Sequence, residues 1–153
     1  MIERASPKDA AACSAILHEW IFETPWFPNH APESASEQAM LNRIETGTVY
    51  VARNHQDVIG FIAFTTGYLD CLYLTPEARN KGLGTVLLNR AMDESTEALS
   101  LWVLARNRAA RRFYQRAGFV ETAEGDGSDN EEGLPDIRME WRPSLDGAEV
   151  KND

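Results

Sequence analysis

Cysteine is scarce in this chain of 153 residues: Cys13 and Cys71 are its two cysteines, and each lies within an apolar pattern. Two cysteines do not make a disulfide framework, so we expect both thiols to be free and buried in the reducing cytoplasm. Histidine is also rare, and none of the three histidines has a cysteine or carboxylate at ligand spacing. The sequence therefore predicts no metal site.

Long apolar runs are absent as well. No stretch approaches the roughly 20 apolar residues that a membrane-spanning helix needs, so we expect no membrane partner. The first residues lack a basic head followed by an apolar stretch, and we expect no signal peptide. Basic residues are outnumbered, at 15 lysines and arginines against 24 acids, which gives a formal net charge of −9. Such a charge repels phosphate backbones and argues against nucleic acid as a general partner.

The charge is distributed unevenly along the chain. Five arginines lie within residues 106–116, whereas residues 121–140 hold eight acids and one arginine. A local basic patch in an acidic chain suits a small anionic ligand in one place and a cationic ligand in another. Two solvated surfaces would explain the same pattern.

Apolar periodicity predicts a mixed α/β chain of the α+β type. Strands are predicted over 2–5, 49–52, 58–64, 68–74, 99–104, 119–122 and 137–141. Helices are predicted after Ser6 as N-cap, after a capping box at Ser34–Glu37, over 83–95 and over 109–117. The three strands of residues 49–74 should form an antiparallel meander. We expect one domain over residues 1–143 and a loose tail over 144–153.

A glycine-containing turn, Arg79-Asn80-Lys81-Gly82-Leu83-Gly84-Thr85, precedes the third predicted helix. Glycine allows a tight turn and a close approach of the backbone to a ligand, and free amides at a helix start bind anions. A pyrophosphate suits such a turn, although a turn that only starts a helix has the same sequence. The segment lacks the endings of a P-loop and of the dinucleotide fingerprint.

Two longer motifs resemble signatures of the GNAT superfamily of N-acetyltransferases. Residues 69–84, Leu-Asp-Cys-Leu-Tyr-Leu-Thr-Pro-Glu-Ala-Arg-Asn-Lys-Gly-Leu-Gly, resemble its principal acetyl-CoA motif, Arg/Gln-x-x-Gly-x-Gly/Ala after a strand and proline. Residues 107–119 resemble its second signature, Asn-x-x-Ala-x-x-Phe-Tyr-x-x-x-Gly-Phe. The predicted element order matches over residues 1 to about 142. The resemblance implies a mixed, mostly antiparallel sheet of six to seven strands with about four helices, splayed between the fourth and fifth strands.

The resemblance also implies where the co-substrate acetyl-CoA would bind. The pantetheine arm would enter the splayed cleft and pair with the main chain around Tyr73, through Leu72 and Leu74. One of these amides would polarise the thioester carbonyl, as an oxyanion hole does. Pyrophosphate would be held by the turn, whose members are Arg79, Asn80, Lys81, Gly82, Leu83, Gly84 and Thr85. Asn107 would reach the cofactor, serve as a helix N-cap, or do both.

Tyr114 matches the family tyrosine that protonates the departing thiolate. A free thiol has a pKa of about 8.5 and a phenol about 10, so this proton transfer is near balance. The alternative role is a core tyrosine on the apolar stripe of its helix. Because the two cysteines look structural, we expect direct transfer to the amine without a covalent acetyl-enzyme.

The general base is less well defined. Ribosomal-protein acetyltransferases place a glutamate where this chain has Trp102, so a protein N-terminal substrate is in doubt. Asp70 is the leading substitute, since strand alternation puts it on the side of Leu72 and Leu74 unless a bulge intervenes. Its rivals are a water relay and the late-loop acids Glu131, Glu132 and Asp136.

The acceptor is predicted only as a primary amine of a small molecule or peptide. Trp26 would contact its apolar part and Glu131 its amine, or the aromatic residue plugs the core and the acid is solvated. The segments Thr24-Pro25-Trp26, Asn130-Glu131-Glu132 and Pro135-Asp136 resemble those of short, uncharacterised bacterial GNAT proteins. A non-catalytic acyl-CoA sensor and transfer of a longer acyl group are the alternatives, and a homodimer is compatible with the family.

Overall fold

The computed structural model describes residues 1–28, 33–130 and 132–143. The strands are β1 (Ile2–Arg4), β2 (Thr48–Asn54), β3 (Asp57–Thr65), β4 (Tyr68–Leu74), β5 (Leu99–Leu104), β6 (Val120–Gly125) and β7 (Asp136–Trp141). The helices are α1 (Ala10–Phe22), α2 (Glu33–Thr46), α3 (Leu83–Glu94) and α4 (Arg108–Arg116), with 3₁₀ turns at Pro7–Asp9 and Pro76–Ala78. Among these residues no helix is both long and apolar enough to cross a membrane.

The chain forms two compact units. Unit 1 comprises residues 1–65 and 69–91, and unit 2 comprises residues 66–68 and those from 92 onward. The strands are hydrogen-bonded in the order β1-β2-β3-β4-β5-β7-β6. Parallel pairing joins Tyr68, the first residue of β4, to Ser100 of β5.

Unit 1 is built on an antiparallel meander covered by α1 and α2. Val49 of β2 lies opposite Ala63 of β3, and Val51 lies opposite Phe61, so one face of the meander is continuously apolar. These side chains pack against one side of α1 and one side of α2. Side chains alternate between the two faces of a strand and recur every 3.6 residues on a helix, so each element presents one apolar face. The cluster consists of Ala10, Cys13, Ile16, Met40, Val49, Val51, Phe61 and Ala63.

The opposite face of the meander packs against α3 at a glycine. A Cβ added at Gly60 would lie 2.5 Å from Leu74 Cδ2 and 3.5 Å from Leu87 Cδ1. The missing side chain therefore lets β4 and α3 approach β3 closely. Leu87, Leu88 and Ala91 of α3 are fully buried, and this packing fixes the orientation of the helix.

Unit 2 contains β5, β7 and β6 with helix α4. β5 pairs antiparallel with β7 over its whole length, from Leu99 opposite Trp141 to Leu104 opposite Asp136. β6 pairs with the other side of β7, and most of its side chains are exposed. The aromatic rings of Tyr114, Phe119 and Trp141 pack in series, with centroids 5.4 and 6.4 Å apart.

The predicted fold class is confirmed: the described residues form a mixed, mostly antiparallel seven-stranded sheet with four α-helices. The bounds of β4 and β5 are those predicted. The capping box with Ser34 as N-cap is wrong, because α2 begins at Glu33 and Ser34 already lies within the helix. The hydroxyl of Ser36 is hydrogen-bonded to His18 Nε2 at 2.8 Å. β6 continues beyond the predicted residue 122, because its ladder with β7 runs to Gly125. The single domain remains a prediction, and the tail 144–153 lies outside the described residues.

Candidate functional site

The glycine turn before α3 is braced at its first residue. The Arg79 guanidinium donates to the carbonyl of Leu74 from Nε and Nη2, at 3.3 and 3.2 Å, and to the carboxylate of Glu23 at 2.8 Å. Arg79 thus ties the turn to the end of β4 and to the residue after α1. In this arrangement its side chain is already engaged, so it supports the turn.

The rest of the turn is open to solvent and has the backbone of an anion site. Asn80 and Gly82 have positive φ values of 62° and 86°. Lys81, Gly82 and Thr85 are exposed, and a Cβ at Gly82 would meet nothing within 4 Å. The carbonyl of Gly82 accepts from Val86 N at 3.2 Å, as the first helical bond of α3. The first amides of a helix have no intrahelical partner, and they point with the helix dipole toward an anion.

The strand before this turn carries the predicted main-chain contacts. Leu72, Tyr73 and Leu74 are half-buried. The Tyr73 ring lies 5.4 Å from Trp20 and 6.1 Å from Phe61, so its side chain is part of the unit 1 core. A cofactor contact here would therefore use the main chain of β4, as predicted.

Asp70 lies on β4 two residues before Leu72. The residue is exposed, and desolvation by its surroundings nevertheless raises the pKa of its carboxyl, while the charge of Arg43 opposes that shift. A raised pKa brings a carboxylate closer to the range in which it can take up a proton. The direction of this shift agrees with the predicted role of Asp70 as a base, which remains a prediction.

The two cysteines are free thiols of low reactivity. Cys13 is fully buried in the unit 1 cluster, and Cys71 packs against that cluster. Burial raises the pKa of each thiol to about 12. Because the thiolate is the nucleophilic form, neither cysteine is suited to carrying an acetyl group.

Asn107 is the N-cap of α4. Its Oδ1 accepts from the amide of Ala110 at 3.2 Å. Arg111 follows in the same helix and donates to the carbonyl of Ala105 at 3.0 Å and to the carboxylate of Glu121 at 2.9 Å. The capping role is confirmed, and the predicted contact of Asn107 with a cofactor remains a prediction.

Tyr114 lies on the inner side of α4 and is 8% exposed. Its ring packs against Phe113 at 5.1 Å and against Phe119 at 5.4 Å between centroids. The ring is thus held rigidly by aromatic neighbours, and the small exposed fraction leaves limited access to the side chain. Both predicted roles, acid and packing residue, agree with this position.

Trp26 belongs to an aromatic group in unit 1. Its ring lies 6.3 Å from those of Trp20 and Phe27, and Trp20 in turn contacts Phe27 at 5.2 Å. Trp26 remains half-buried, so part of its surface is available to a ligand. Glu131, the predicted amine-binding acid, lies outside the described residues.

A hydrogen-bonded loop in unit 2 was not foreseen. Asn130 Nδ2 donates to the carbonyl of Leu134 at 2.8 Å and to Asp136 Oδ2 at 3.1 Å, and Asn130 Oδ1 accepts from Gly133 N at 2.7 Å. Asn130 therefore fixes both the loop and the Asp136 carboxylate. An asparagine three residues before a glycine in a loop is the signal that could have indicated it.

The described part of the chain contains no group of three or more histidine, cysteine, aspartate or glutamate residues that could hold a metal ion. The chemical features of the two units are thus an open helix start, an exposed carboxyl of raised pKa and a buried, ring-packed tyrosine. An open helix start suits an anionic group, and a carboxyl and a phenol are residue types that take part in acid–base chemistry.

Comparison with known proteins identifies the family of this chain. The family model described as "Acetyltransferase (GNAT) family" matches residues 15–119, which is more than half of the chain. The chain belongs to the acetyltransferase (GNAT) family, and it is an enzyme of the N-acetyltransferase class.

Individual relatives agree with this assignment. The peptidyl-lysine N-acetyltransferases YjaB of Salmonella typhimurium and Escherichia coli are 26% and 29% identical to this chain, of which the matches cover 84%. The matches cover 88% and 87% of those proteins. The structure of yncA from Salmonella typhimurium with acetyl-CoA is 21% identical, superimposes with a TM-score of 0.75 and covers 94% of both chains. Because the identity to yncA is low, this similarity shows a shared fold and no more.

Proposed function

We propose that this enzyme transfers an acetyl group directly from acetyl-CoA to a primary amine of a small molecule or peptide. The observation that carries the proposal is the open start of α3, where positive φ values at Asn80 and Gly82 leave exposed amides in front of a helix. This is the place at which the family motif expects pyrophosphate. The acetyl-CoA in the yncA structure supports the same donor for a chain of this fold.

Donor binding would rest mainly on backbone atoms. The amides of residues 80–85 would bind the pyrophosphate, and exposed Lys81 would add a positive charge. Arg79 would keep the turn in shape through its bonds to Leu74 and Glu23. The main chain of Leu72 and Leu74 would hold the pantetheine arm, and Asn107 would contact the cofactor while it caps α4.

The chemical step would need one acid and one base. The neutral amine attacks the thioester carbonyl, a tetrahedral intermediate forms, and the carbon–sulfur bond then breaks. Tyr114 would protonate the departing thiolate, and Asp70 would remove the proton from the amine. The high pKa of both thiols supports direct transfer without an acetyl-cysteine.

The acceptor is a class rather than a single compound. The YjaB relatives are named peptidyl-lysine N-acetyltransferases, and the matched region spans most of their length. A lysine side chain is therefore one acceptor to test, together with small alkylamines. Half-buried Trp26 would contact the apolar part of the acceptor, and Glu131 its amine.

We further propose that the enzyme acts in the cytoplasm without nucleic acid, and a homodimer is compatible with this proposal.

The proposal is tested by calorimetric titration with acetyl-CoA, followed by CoA release across alkylamines and a lysine peptide. We expect saturable binding and amine-dependent CoA release. Binding without release from any amine would favour the non-catalytic sensor, and absence of binding would refute the proposal. Longer acyl-CoA donors in the same assay define the chain-length preference.

The role of Asp70 has its own test in a pH profile. A base must be deprotonated, so kcat/KM should fall as the pH falls through the raised pKa of Asp70. Asp70→Asn should lower kcat by about 10²-fold or more and remove that part of the profile. Asp57→Asn, an exposed aspartate at the start of β3, is the matched control and should retain both the rate and the profile. An unchanged profile in Asp70→Asn would assign the base elsewhere.

A further inference from the structure

Trp102 is an exposed tryptophan in the middle of a buried strand. Its neighbours Leu101 and Val103 are buried, whereas Trp102 on the other face of β5 is 44% exposed. An indole left partly in water on a sheet face offers a flat surface to alkyl chains and cations.

A carboxylate is fixed beside this indole. Trp102 lies opposite Arg138 of β7, and Asp136 is two residues from Arg138 on the same face. Asp136 Oδ2 accepts from Asn130 Nδ2 at 3.1 Å, and Asn130 is anchored by two further bonds within its loop. The carboxylate is half-buried and oriented, which reduces the entropy that a ligand would have to overcome.

Gly125 lets the Asp136 carboxylate lie directly against its backbone, beside the indole. A Cβ built on Gly125 would overlap Asp136 Oδ1 and would lie 3.7 Å from Trp102 Cζ3. Asp136 Oδ1 therefore takes the place of a side chain at position 125, next to the edge of the indole. Any other residue at position 125 would displace the carboxylate.

The composition of this segment favours a cation. Arg138, which lies opposite Trp102, donates to Thr122 Oγ1 at 3.0 Å and lies 3.9 Å from a carboxylate oxygen of Glu140. Residues 121–140 hold eight acids and one arginine, so the segment that carries Gly125, Asn130 and Asp136 is acidic. An oriented carboxylate next to an aromatic ring is a suitable pair for an alkylammonium or guanidinium group.

We propose that Trp102 and Asp136 bind a second positive charge on the acceptor, with Asn130 as the positioning residue. This inference rests on the proposed function. The amine that attacks the thioester has to be neutral, so a site suited to a cation fits a group of the acceptor that stays charged. The acceptor class is accordingly a diamine or polyamine, or a peptide whose lysine has a basic neighbour.

Two matched pairs of acceptors test the inference. The first pair is 1,5-diaminopentane and 1-aminopentane, and the second is a lysine peptide with an adjacent arginine and the same peptide with glutamine. In each pair the probes differ by one positive charge, and kcat/KM is measured from CoA release. We expect about tenfold preference for the extra charge in at least one pair, and the pair that shows it identifies the source.

Variants then connect the preference to the site. In Asp136→Asn and Trp102→Leu the preference should fall to about twofold or less. A twofold preference for the diamine would remain without the site, because the diamine has two equivalent amines that can react. Gly125→Ala should have a similar effect by displacing the carboxylate, and Trp102→Phe should retain part of the preference. Asp129→Asn is the control, because it removes one acid from the same loop without touching the site.

The outcomes separate this inference from the proposed function. Turnover of the singly charged acceptors by the unmodified enzyme reports the acetyltransferase itself. In the variants the site is reported by the ratio of kcat/KM within each pair, because a general loss of rate affects both members. A preference that survives in both Asp136→Asn and Trp102→Leu would overturn the inference and leave the proposed function intact. Equal use of both members of each pair by the unmodified enzyme would overturn it as well. No turnover of any acceptor would count against the proposed function on which the inference rests.

Discussion

The helices α3 and α4 begin in opposite ways, although each starts within a motif of the family. At the start of α4, the side chain of Asn107 accepts from the amide of Ala110. At the start of α3 the preceding residue is Gly82, which has no side chain, a φ of 86° and an exposed backbone. One helix satisfies a first-turn amide with its own N-cap side chain, and the other has a glycine before it that offers no such side chain. A helix start is therefore informative about anion binding only when the residues before it are known.

The start of α1 provides a third case, in which a carboxylate closes the turn. Asp9 Oδ2 accepts from the amide of Ser6 at 2.9 Å and pairs with Arg53 Nη2 at 2.9 Å. Burial by itself would raise the pKa of Asp9, but these hydrogen bonds and the charge of Arg53 outweigh it and lower the pKa. Here the start of a helix is a structural junction between α1 and β2.

The largest stability effect is expected at this junction. Asp9→Ala removes a buried carboxylate that serves both Ser6 and Arg53, and it should lower the free energy of unfolding by about 2–4 kcal/mol. Denaturant unfolding measures the change. Glu77→Ala is the control, because Glu77 is an exposed acid in the first turn of a short 3₁₀ helix.

The same junction predicts a pH dependence. Because the pKa of Asp9 is lower in the folded chain, its stabilising effect is present above the ordinary aspartate pKa. The effect is lost as the pH falls toward the folded value. The difference in stability between the unmodified protein and Asp9→Asn should therefore shrink on acidification. A difference that is constant from neutral to acidic pH would contradict this account of the junction.

The next largest effect should be at the open start of α3. Gly82→Val places a β-branched residue at positive φ, where backbone strain rather than a clash disfavours it. We expect acetyl-CoA to bind at least tenfold more weakly in calorimetry. Gly133→Val is the matched control, because Gly133 also has a positive φ, of 69°, with open space around it. Equal loss of affinity in both variants would show that strain alone is responsible.

The smallest effect is expected at the start of α4. Asn107→Ala removes the cap and should cost about 1 kcal/mol of stability. Asn107→Asp keeps an oxygen that can accept from Ala110 and should restore most of this stability. If Asn107 also contacts the cofactor, the affinity for acetyl-CoA should fall in Asn107→Asp despite the restored cap. Unchanged affinity in both variants would limit Asn107 to capping.

Much of the fold was predictable because it depends on local patterns. Runs rich in aromatic and aliphatic residues over 68–74 and 99–104 defined β4 and β5 to the residue. The N-cap role of Asn107 was also predictable, since an asparagine directly before a helix can accept from a first-turn amide. Ser6 is the N-cap of the 3₁₀ turn Pro7–Asp9, where the Asp9 carboxylate accepts from its amide.

Other features depended on contacts that no local pattern contains. The predicted cap at Ser34 failed because α2 begins one residue earlier, at Glu33, and in the same turn Ser36 hydrogen-bonds with His18 of another helix. The network of Asn130 depends on a loop conformation with Gly127 at a φ of 97°, so the orientation of Asp136 could not be deduced from its place in the sequence. The position of Trp102 beside Gly125 and Asp136 likewise depends on the pairing of β5 with β7 and of β7 with β6.

The central claim is that this enzyme transfers acetyl groups directly, with Tyr114 as the acid. The most direct test is kcat for CoA release in Tyr114→Phe, measured beside acetyl-CoA affinity and compared with Tyr50→Phe, a second buried tyrosine that packs in unit 1. The account predicts that Tyr114→Phe lowers kcat by about 10²- to 10⁴-fold while the affinity for acetyl-CoA and the fold are retained, and that Tyr50→Phe changes kcat little. A Tyr114→Phe enzyme with normal kcat would contradict the account and leave Tyr114 as a packing residue of α4.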